Sequence, residues 1–195
     1  MDEEIASRLE RIFSAIGETV NIDFTDIKQK STKTNSGSTH IIDFNGGYTD
    51  EQLSNLAHMA ISNVASLTDH IIRWVRRNNK DKKIFDELFA GSLNIMAIKD
   101  LDNNDKHGYP PRNKGLTKKS IKLMKVKRSL KISSTPPGVA SPTTHKNSPI
   151  KIVQGDAKLV ITAPIVDEDD NTFGELHNCL MSAISEYEQI ILAYS

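Results

Sequence analysis

Cysteine is almost absent from this sequence of 195 residues, because Cys179 is its only example. A single cysteine cannot form a disulfide within the chain, which fits a reducing compartment. No apolar run approaches the roughly 18 residues that span a membrane. The first four residues, Met-Asp-Glu-Glu, carry the opposite charge to a secretory leader. We therefore expect a cytoplasmic protein that has no membrane partner.

Motifs of cofactor and metal chemistry are missing as well. The sequence has no Walker loop, no dinucleotide-binding glycine fingerprint and no nucleophile elbow. Its six histidines do not follow a zinc-binding spacing. The acidic run 167–171 begins like a calcium loop, but Thr172 and Asn178 stand where that loop needs glycine and glutamate. The sequence predicts no cofactor and no bound metal.

Acidic residues are absent from one long stretch. From Lys106 to Lys151 there are 12 lysines and arginines and no aspartate or glutamate. The whole chain has 25 basic and 25 acidic residues; taking away the 12 leaves 13 basic residues against 25 acidic ones, a net charge of −12. Such segregation predicts an anionic partner, or docking of the two parts within a chain or between chains.

Apolar residues at three- and four-residue spacing predict the helices. A capping box of Thr49 and Gln52 begins a long helix, and a second helix runs from Ile84 to His107 after a turn at 78–81. The two should pack as an antiparallel hairpin over residues 49–108. Residues 2–16 predict one further helix. Residues 172–194 predict the C-terminal helix, with Thr172 in a second capping box.

Period-two alternation predicts the strands. Two short strands, 20–24 and 40–44, flank a polar loop at 30–38. A basic β insert over 109–166 has strands at 121–132, 150–153 and 158–166, and a Ser/Thr/Pro-rich loop at 133–149. The apolar phase slips by one near Met124, which predicts a β-bulge. The sequence thus indicates one α+β domain over 1–195: an antiparallel bundle of three to four helices with a small antiparallel sheet inserted before the C-terminal helix.

Polar residues converge where the second long helix ends. On a helix, Asp100, Asn103, Asn104 and His107 share one face. A carboxylate, two amides and an imidazole could hold a phosphate or a ribose, or use His107 as acid or base. The structural alternative is that they tie the helix end to the insert, with Gly108 as the helix stop.

This stretch resembles a motif of bacterial helical proteins. Asp100, Leu101, Asn103, Lys106 and His107 form an Asp-Leu-x-Asn-x-x-Lys-His string at the end of a long helix, similar to members of the HEPN superfamily of helical RNases and nucleotide-associated proteins. The likeness covers residues 49–108. Catalytic members place an arginine four to six intervening residues before the histidine, whereas positions 100–102 are Asp, Leu and Asp. The resemblance therefore implies a catalytically degenerate relative.

The basic insert supplies a second candidate site. One strand of it is rich in cations that could neutralise the phosphates of an RNA or DNA backbone. The sequence has no aromatic residue between Tyr109 and Phe173, which excludes a base-stacking surface there. Lysine-rich strands also discourage edge pairing without any ligand. The candidate nucleic-acid-binding residues are Lys122, Lys125, Lys127, Arg128 and Lys131.

Three functions remain open at this point. The first is a non-enzymatic or catalytically degenerate HEPN-like protein that binds nucleic acid or a protein partner through its basic insert. The second is an RNase or nucleotide-processing enzyme in which His107, Asn103 and Asp100 are catalytic. The third is an interaction module that self-assembles into a homo-oligomer through its charge asymmetry.

Overall fold

The computed structural model describes Ser7, Arg8, Glu10 and Ile12, all helical, and residues 28–34, 37–43, 47–108, 113–132 and 157–194. From residue 28 onward, the described ranges contain four helices and seven strands. The helices are α1 (Asp50–Arg77), α2 (Lys82–Gly91), α3 (Leu93–His107) and α4 (Leu176–Leu192). The strands are β1 (Lys28–Thr34), β2 (Gly37–Asp43), β3 (Lys122–Leu123), β4 (Lys127–Ile132), β5 (Ala157–Thr162), β6 (Pro164–Val166) and β7 (Thr172–Glu175).

The predicted α+β class is confirmed, because helices α1, α3 and α4 pack together and antiparallel strands precede α4. The strands form three small sheets. Two of them, β1–β2 and β4–β5, are two-stranded, and the third sheet has the order β3-β6-β7. The N-terminal hairpin is therefore a sheet of its own. Its strands include most of 30–38, so the predicted polar loop there was wrong, while strand 20–24 lies outside the described residues.

Helix α1 begins as the sequence predicts. Thr49 Oγ1 accepts a hydrogen bond from Gln52 N at 3.2 Å, and Gln52 Oε1 accepts one from Thr49 N at 2.9 Å, which confirms the capping box. One stripe of the helix is buried, including Leu53, Ile61 and Ile71, each at most 1% exposed. Fully burying a side chain of this size stabilises a fold by about 1.5–3 kcal/mol, so α1 is the central support of the bundle.

The second rod is two helices instead of one continuous helix. Helix α2 ends at Gly91, and Ser92 lies between α2 and α3 with its hydroxyl donating to Leu88 O at 2.8 Å. Glycine and serine are a common pair at helix kinks. The new N-terminus of α3 is capped by Glu186 of α4, which accepts from Ile95 N at 3.0 Å. A distant residue thus stabilises a break that local spacing did not predict.

The β-bulge near Met124 is confirmed. Leu123 pairs with Ile165 and Lys127 with Thr162, so three residues, 124–126, lie opposite two. The same irregularity divides each long predicted strand into two shorter ones. Strand 150–153 and loop 133–149 lie outside the described residues.

The C-terminal helix begins later than expected. Residues Thr172–Glu175 form strand β7, so the predicted capping box at Thr172 was wrong. Glu175 is itself the N-cap, and its carboxylate accepts from His177 N and Asn178 N at 3.0 and 3.1 Å. Thr162 Oγ1 also donates to it, which ties the helix start to β5.

The core lies where the three long helices meet the insert. Ile121 and Ile165 of the insert are fully buried against it. Tyr187 of α4 is also buried, and its hydroxyl lies 2.6 Å from Thr68 Oγ1 of α1. This contact satisfies both hydroxyls inside the core. None of the described helices has the length and apolar character needed to cross a membrane.

Candidate functional site

Asp100 anchors a loop. It is only 2% exposed, and its carboxylate accepts hydrogen bonds from Leu116 N, Thr117 N and Thr117 Oγ1 at 2.7–2.8 Å. Gly115 comes so close that an added Cβ would lie 2.4 Å from the carboxylate, and its φ of +71° is one that other residues rarely adopt. Both oxygens of the carboxylate are therefore engaged in holding loop 113–120. Asp100 thus ties the helix end to the insert.

The other residues of the predicted polar face have different surroundings. Asn103 is half-buried and His107 is exposed. Asn104 donates from Nδ2 to Ile121 O at 2.7 Å and thereby joins the helix end to the insert. The catalytic use of Asp100, Asn103 and His107 stays a prediction.

A cleft of about 580 Å³ lies beside this junction. Helix α1 forms one wall, the end of α3 a second, and β3 with the bulge a third. Of the predicted polar face only Asn104 lines the cleft. Its polar lining is Asp50, Ser54, His58, Asn104, Asp105, Lys122 and Lys125, and its other lining residues are Leu101, Gly108, Leu123, Met124 and Val126.

Two buried atoms in the lining residues lack a hydrogen bond. Among the described residues, Asn104 Oδ1 and His58 Nδ1 have no hydrogen-bond partner. His58 Nδ1 lies 3.2 Å from Asp105 Oδ1, so the two attract each other when the imidazole is protonated, but they do not meet the geometry of a hydrogen bond. Because Asn104 Nδ2 is fixed on Ile121 O, its Oδ1 can only accept. Unsatisfied buried polar atoms are rare in folded proteins.

The lysines of the cleft have acidic partners. Lys125 Nζ lies 2.6 Å from Asp50 Oδ2, and Lys122 Nζ lies 2.8 Å from Asp170 Oδ1. The hydrogen bond to Asp50 raises the pKa of Lys125, so this side chain is charged throughout the neutral range. A further lysine of the insert, Lys114, is paired with Glu168. The basic insert is thus docked on acidic residues of the same chain at these three positions.

The remaining cations of the predicted nucleic-acid face have different surroundings. Lys127 is exposed. Arg128 lies over the ring of Tyr48, 5.1 Å from its centroid. The side chain of Lys131 lies outside the part that the structure describes. Of the five predicted residues, Lys122 and Lys125 line the cleft and Arg128 is stacked on an aromatic ring. Their use in nucleic-acid binding stays a prediction.

Sequence reasoning missed the wall contributed by α1. Asp50, Ser54 and His58 recur every fourth residue, which puts them on one helix face next to the apolar stripe. This polar stripe was the available signal. In the described ranges no three histidine, cysteine, aspartate or glutamate side chains are arranged to hold a metal ion.

No protein-family model matches the chain, and no curated protein or solved structure is significantly similar to it. The geometry of the cleft is therefore the basis on which a function is proposed.

Proposed function

We propose that this chain is a non-enzymatic binding protein whose cleft takes a segment of a partner protein. The observation that carries the proposal is the cleft of about 580 Å³ between α1, the end of α3 and β3, whose walls combine apolar side chains with a few polar groups. The HEPN resemblance in its catalytically degenerate form agrees with a binding role.

The lining of the cleft favours a protein over a polyanion. Lys122 and Lys125 are balanced by Asp50 and Asp105, so the cleft carries no net positive charge when His58 is neutral. Leu101, Leu123, Met124 and Val126 supply apolar surface, and mixed apolar walls with a few fixed polar groups are typical of ligand sites.

The test is selection of random displayed peptides of about 12 residues, long enough to cross the cleft at roughly 3.3 Å per residue. Selected peptides are then titrated against Ser54→Trp, which fills the cleft from α1. Asn55→Trp is the matched control, because Asn55 is exposed on the same helix and is not part of the cleft lining. We expect binding to fall at least about tenfold in the first variant only. Equal binding by both variants, or no selected peptide, would refute the proposal.

A second candidate is sequence-independent binding of RNA or DNA by the insert. It is favoured by the exposure of Lys118 and Lys127 in a segment that contains no acidic residue. The loss of two lysine–phosphate contacts lowers the slope of log affinity against log salt concentration by roughly 1.4 for a single strand. This version predicts a reduced slope for the double variant Lys118→Gln, Lys127→Gln.

Short RNA and DNA titrated across a salt series distinguish the two candidates. The double variant Lys82→Gln, Lys83→Gln is the control, because it removes two exposed lysines of α2, outside the basic segment. If neither nucleic acid binds at low salt, or if both double variants behave alike, the nucleic-acid version is wrong.

A further inference from the structure

Strand β3 is an edge of its sheet, and this edge borders the cleft. The sheet order places β6 on one side of β3, and no described strand lies on the other. Met124 N donates to Pro164 O at 2.9 Å, so the main chain of Met124 faces β6. Neighbouring residues of an antiparallel strand direct their N–H and C=O groups to opposite edges. The main-chain groups of Leu123 therefore point away from β6.

The position of Asn104 shows which way that edge faces. Its Nδ2 donates to Ile121 O, and Ile121 is two residues from Leu123, so both residues present their main chain to the same edge. Asn104 and Leu123 both line the cleft. The open edge therefore offers the N–H and C=O of Leu123, while Asn104 pairs with the same edge at Ile121.

We propose that the partner segment binds in an extended conformation as an added strand along β3, an inference that rests on the proposed function. The segment exchanges main-chain hydrogen bonds with the N–H and C=O of Leu123, next to the point where Asn104 Nδ2 already donates to Ile121 O. Binding of this kind derives affinity from the main chain and specificity from alternate side chains.

The charges of the cleft indicate what the segment carries. Two lysines and two aspartates balance one another, so the cleft complements an uncharged segment. Alternate side chains of an added strand point to the same side, and Leu101 and Val126 are apolar residues of the cleft lining against which such a side chain can pack. The partner chemistry is an extended, uncharged segment with an apolar residue at its centre.

The shortness of β3 agrees with an edge that pairs only with a specific partner segment. A two-residue strand presents little edge to solvent, which protects a protein from unwanted pairing. The bulge at 124–126 ends regular pairing directly after Leu123. An added segment can therefore pair with this edge in one register only, the one set by Leu123.

Leu123→Pro is the deciding variant, because proline removes the outward N–H while the ladder to β6 does not use it. Leu123→Ala is the matched control, since it removes the same side chain and keeps the N–H. Peptides selected on the full chain should bind Leu123→Pro at least about tenfold more weakly than Leu123→Ala. Equal affinities for the two variants would overturn strand addition.

Amide hydrogen exchange of the unaltered protein provides a second measurement that does not depend on the folding of a variant. The Leu123 amide should exchange faster than that of Met124 in the free protein and should become protected when a selected peptide is added. Exchange at Leu123 that the peptide leaves unchanged would overturn strand addition as well.

The two proposals fail in different ways. If peptides bind Asn55→Trp and not Ser54→Trp, but Leu123 stays unprotected, the cleft binds its partner through side chains and only strand addition is wrong. If peptide binding is insensitive to Ser54→Trp, the cleft itself is not the site. Concentration-dependent self-association that Leu123→Pro abolishes would make the partner a second copy of this chain and would overturn a foreign segment.

Discussion

At the scale of single residues, the carboxylate of Asp100 is the most heavily engaged polar group of the helix end. Three donors from residues 116 and 117 meet it inside the fold. Loop 113–120 needs such an anchor, because Lys114, Lys118 and Ser120 all have positive φ. Backbone conformations of this kind persist only where the surroundings enforce them.

Asp100→Ala is expected to lower the free energy of unfolding by about 3 kcal/mol, because it leaves the buried N–H of Thr117 and the partly buried N–H of Leu116 without an acceptor. Urea denaturation measures the change. Asp86→Ala is the control, since Asp86 forms only an exposed pair with Lys82 and should change stability by less than about 1 kcal/mol. Equal effects of the two substitutions would show that Asp100 does not anchor the loop.

Cys179 predicts a dependence of stability on alkaline pH. Burial, and after it the charge of Glu175, raises the pKa of its thiol from the ordinary 9.0 to about 11. Between these two values the unfolded chain has lost the thiol proton and the folded chain retains it, so the free energy of unfolding falls as pH rises. Burial raises the pKa of Tyr187 as well, which adds to the fall at higher pH.

Urea midpoints measured from pH 9 to pH 11 should therefore decline less steeply in Cys179→Ala than in the unaltered protein. The folded thiol should also resist alkylation at pH 8, because the reactive species is the thiolate. If the urea midpoints of the variant and of the unaltered protein fell equally with pH, the thiol of Cys179 would not have the raised pKa that its burial implies.

At the scale of elements, Glu186 gives helix α3 the cap that Ser92 does not supply. The side chain of Ser92 makes no capping bond, whereas Glu186 accepts from Ile95 N and from Asn94 Nδ2, the latter at 2.6 Å. Glu186→Ala should lower stability by about 1 kcal/mol and should speed amide exchange at Ile95. Glu188→Ala, two residues along the same helix, is the control, and the cap would be refuted if both variants gave the same exchange rate.

The elements also show where sequence reasoning succeeds. The capping box of α1 and the bulge near Met124 follow from local patterns, since a cap needs two residues three apart and a bulge shifts a period of two. The break at Ser92 depends on Glu186, more than ninety residues away in the sequence, so no local window contains it. The predicted start of α4 was wrong because it also depends on a contact outside the local window: residues 172–175 form β7, which is stabilised by pairing with β6.

The candidate site follows the same division. Asn104, Lys122 and Lys125 stand in stretches that the sequence singles out by polarity and charge, and the structure places all three around one cleft. Ser54 and His58 reach that cleft only because α1 packs beside the end of α3, a contact that periodicity does not give. Asp100 was assigned to the site by helix geometry, but loop 113–120 occupies its carboxylate.

At the scale of the whole molecule, the opposite charges of insert and remainder meet within one chain. Lys114, Lys122 and Lys125 pair with acidic residues outside the basic segment. Exposed pairs of this kind each contribute at most about 1 kcal/mol and weaken in salt. The charge asymmetry is thereby reduced without a second copy of the chain.

Light scattering should therefore give the mass of one chain at both about 50 mM and about 500 mM salt. The urea midpoint should change little between these conditions, because the core and not the ion pairs supplies most of the stability. A mass that doubles at low salt and halves at high salt would instead support self-assembly through opposite charges.

The loop held by Asp100 has a consequence for genetics. Residues 113–120 lead directly into Ile121 and β3, so the cleft wall is positioned by a residue that does not line the cleft. A mutational scan scored on partner binding would rank Asp100 and Gly115 beside the residues that touch the partner. Substitutions at these two positions would weaken binding because they displace the cleft wall. A scan scored on protein abundance would separate them from the residues that touch the partner.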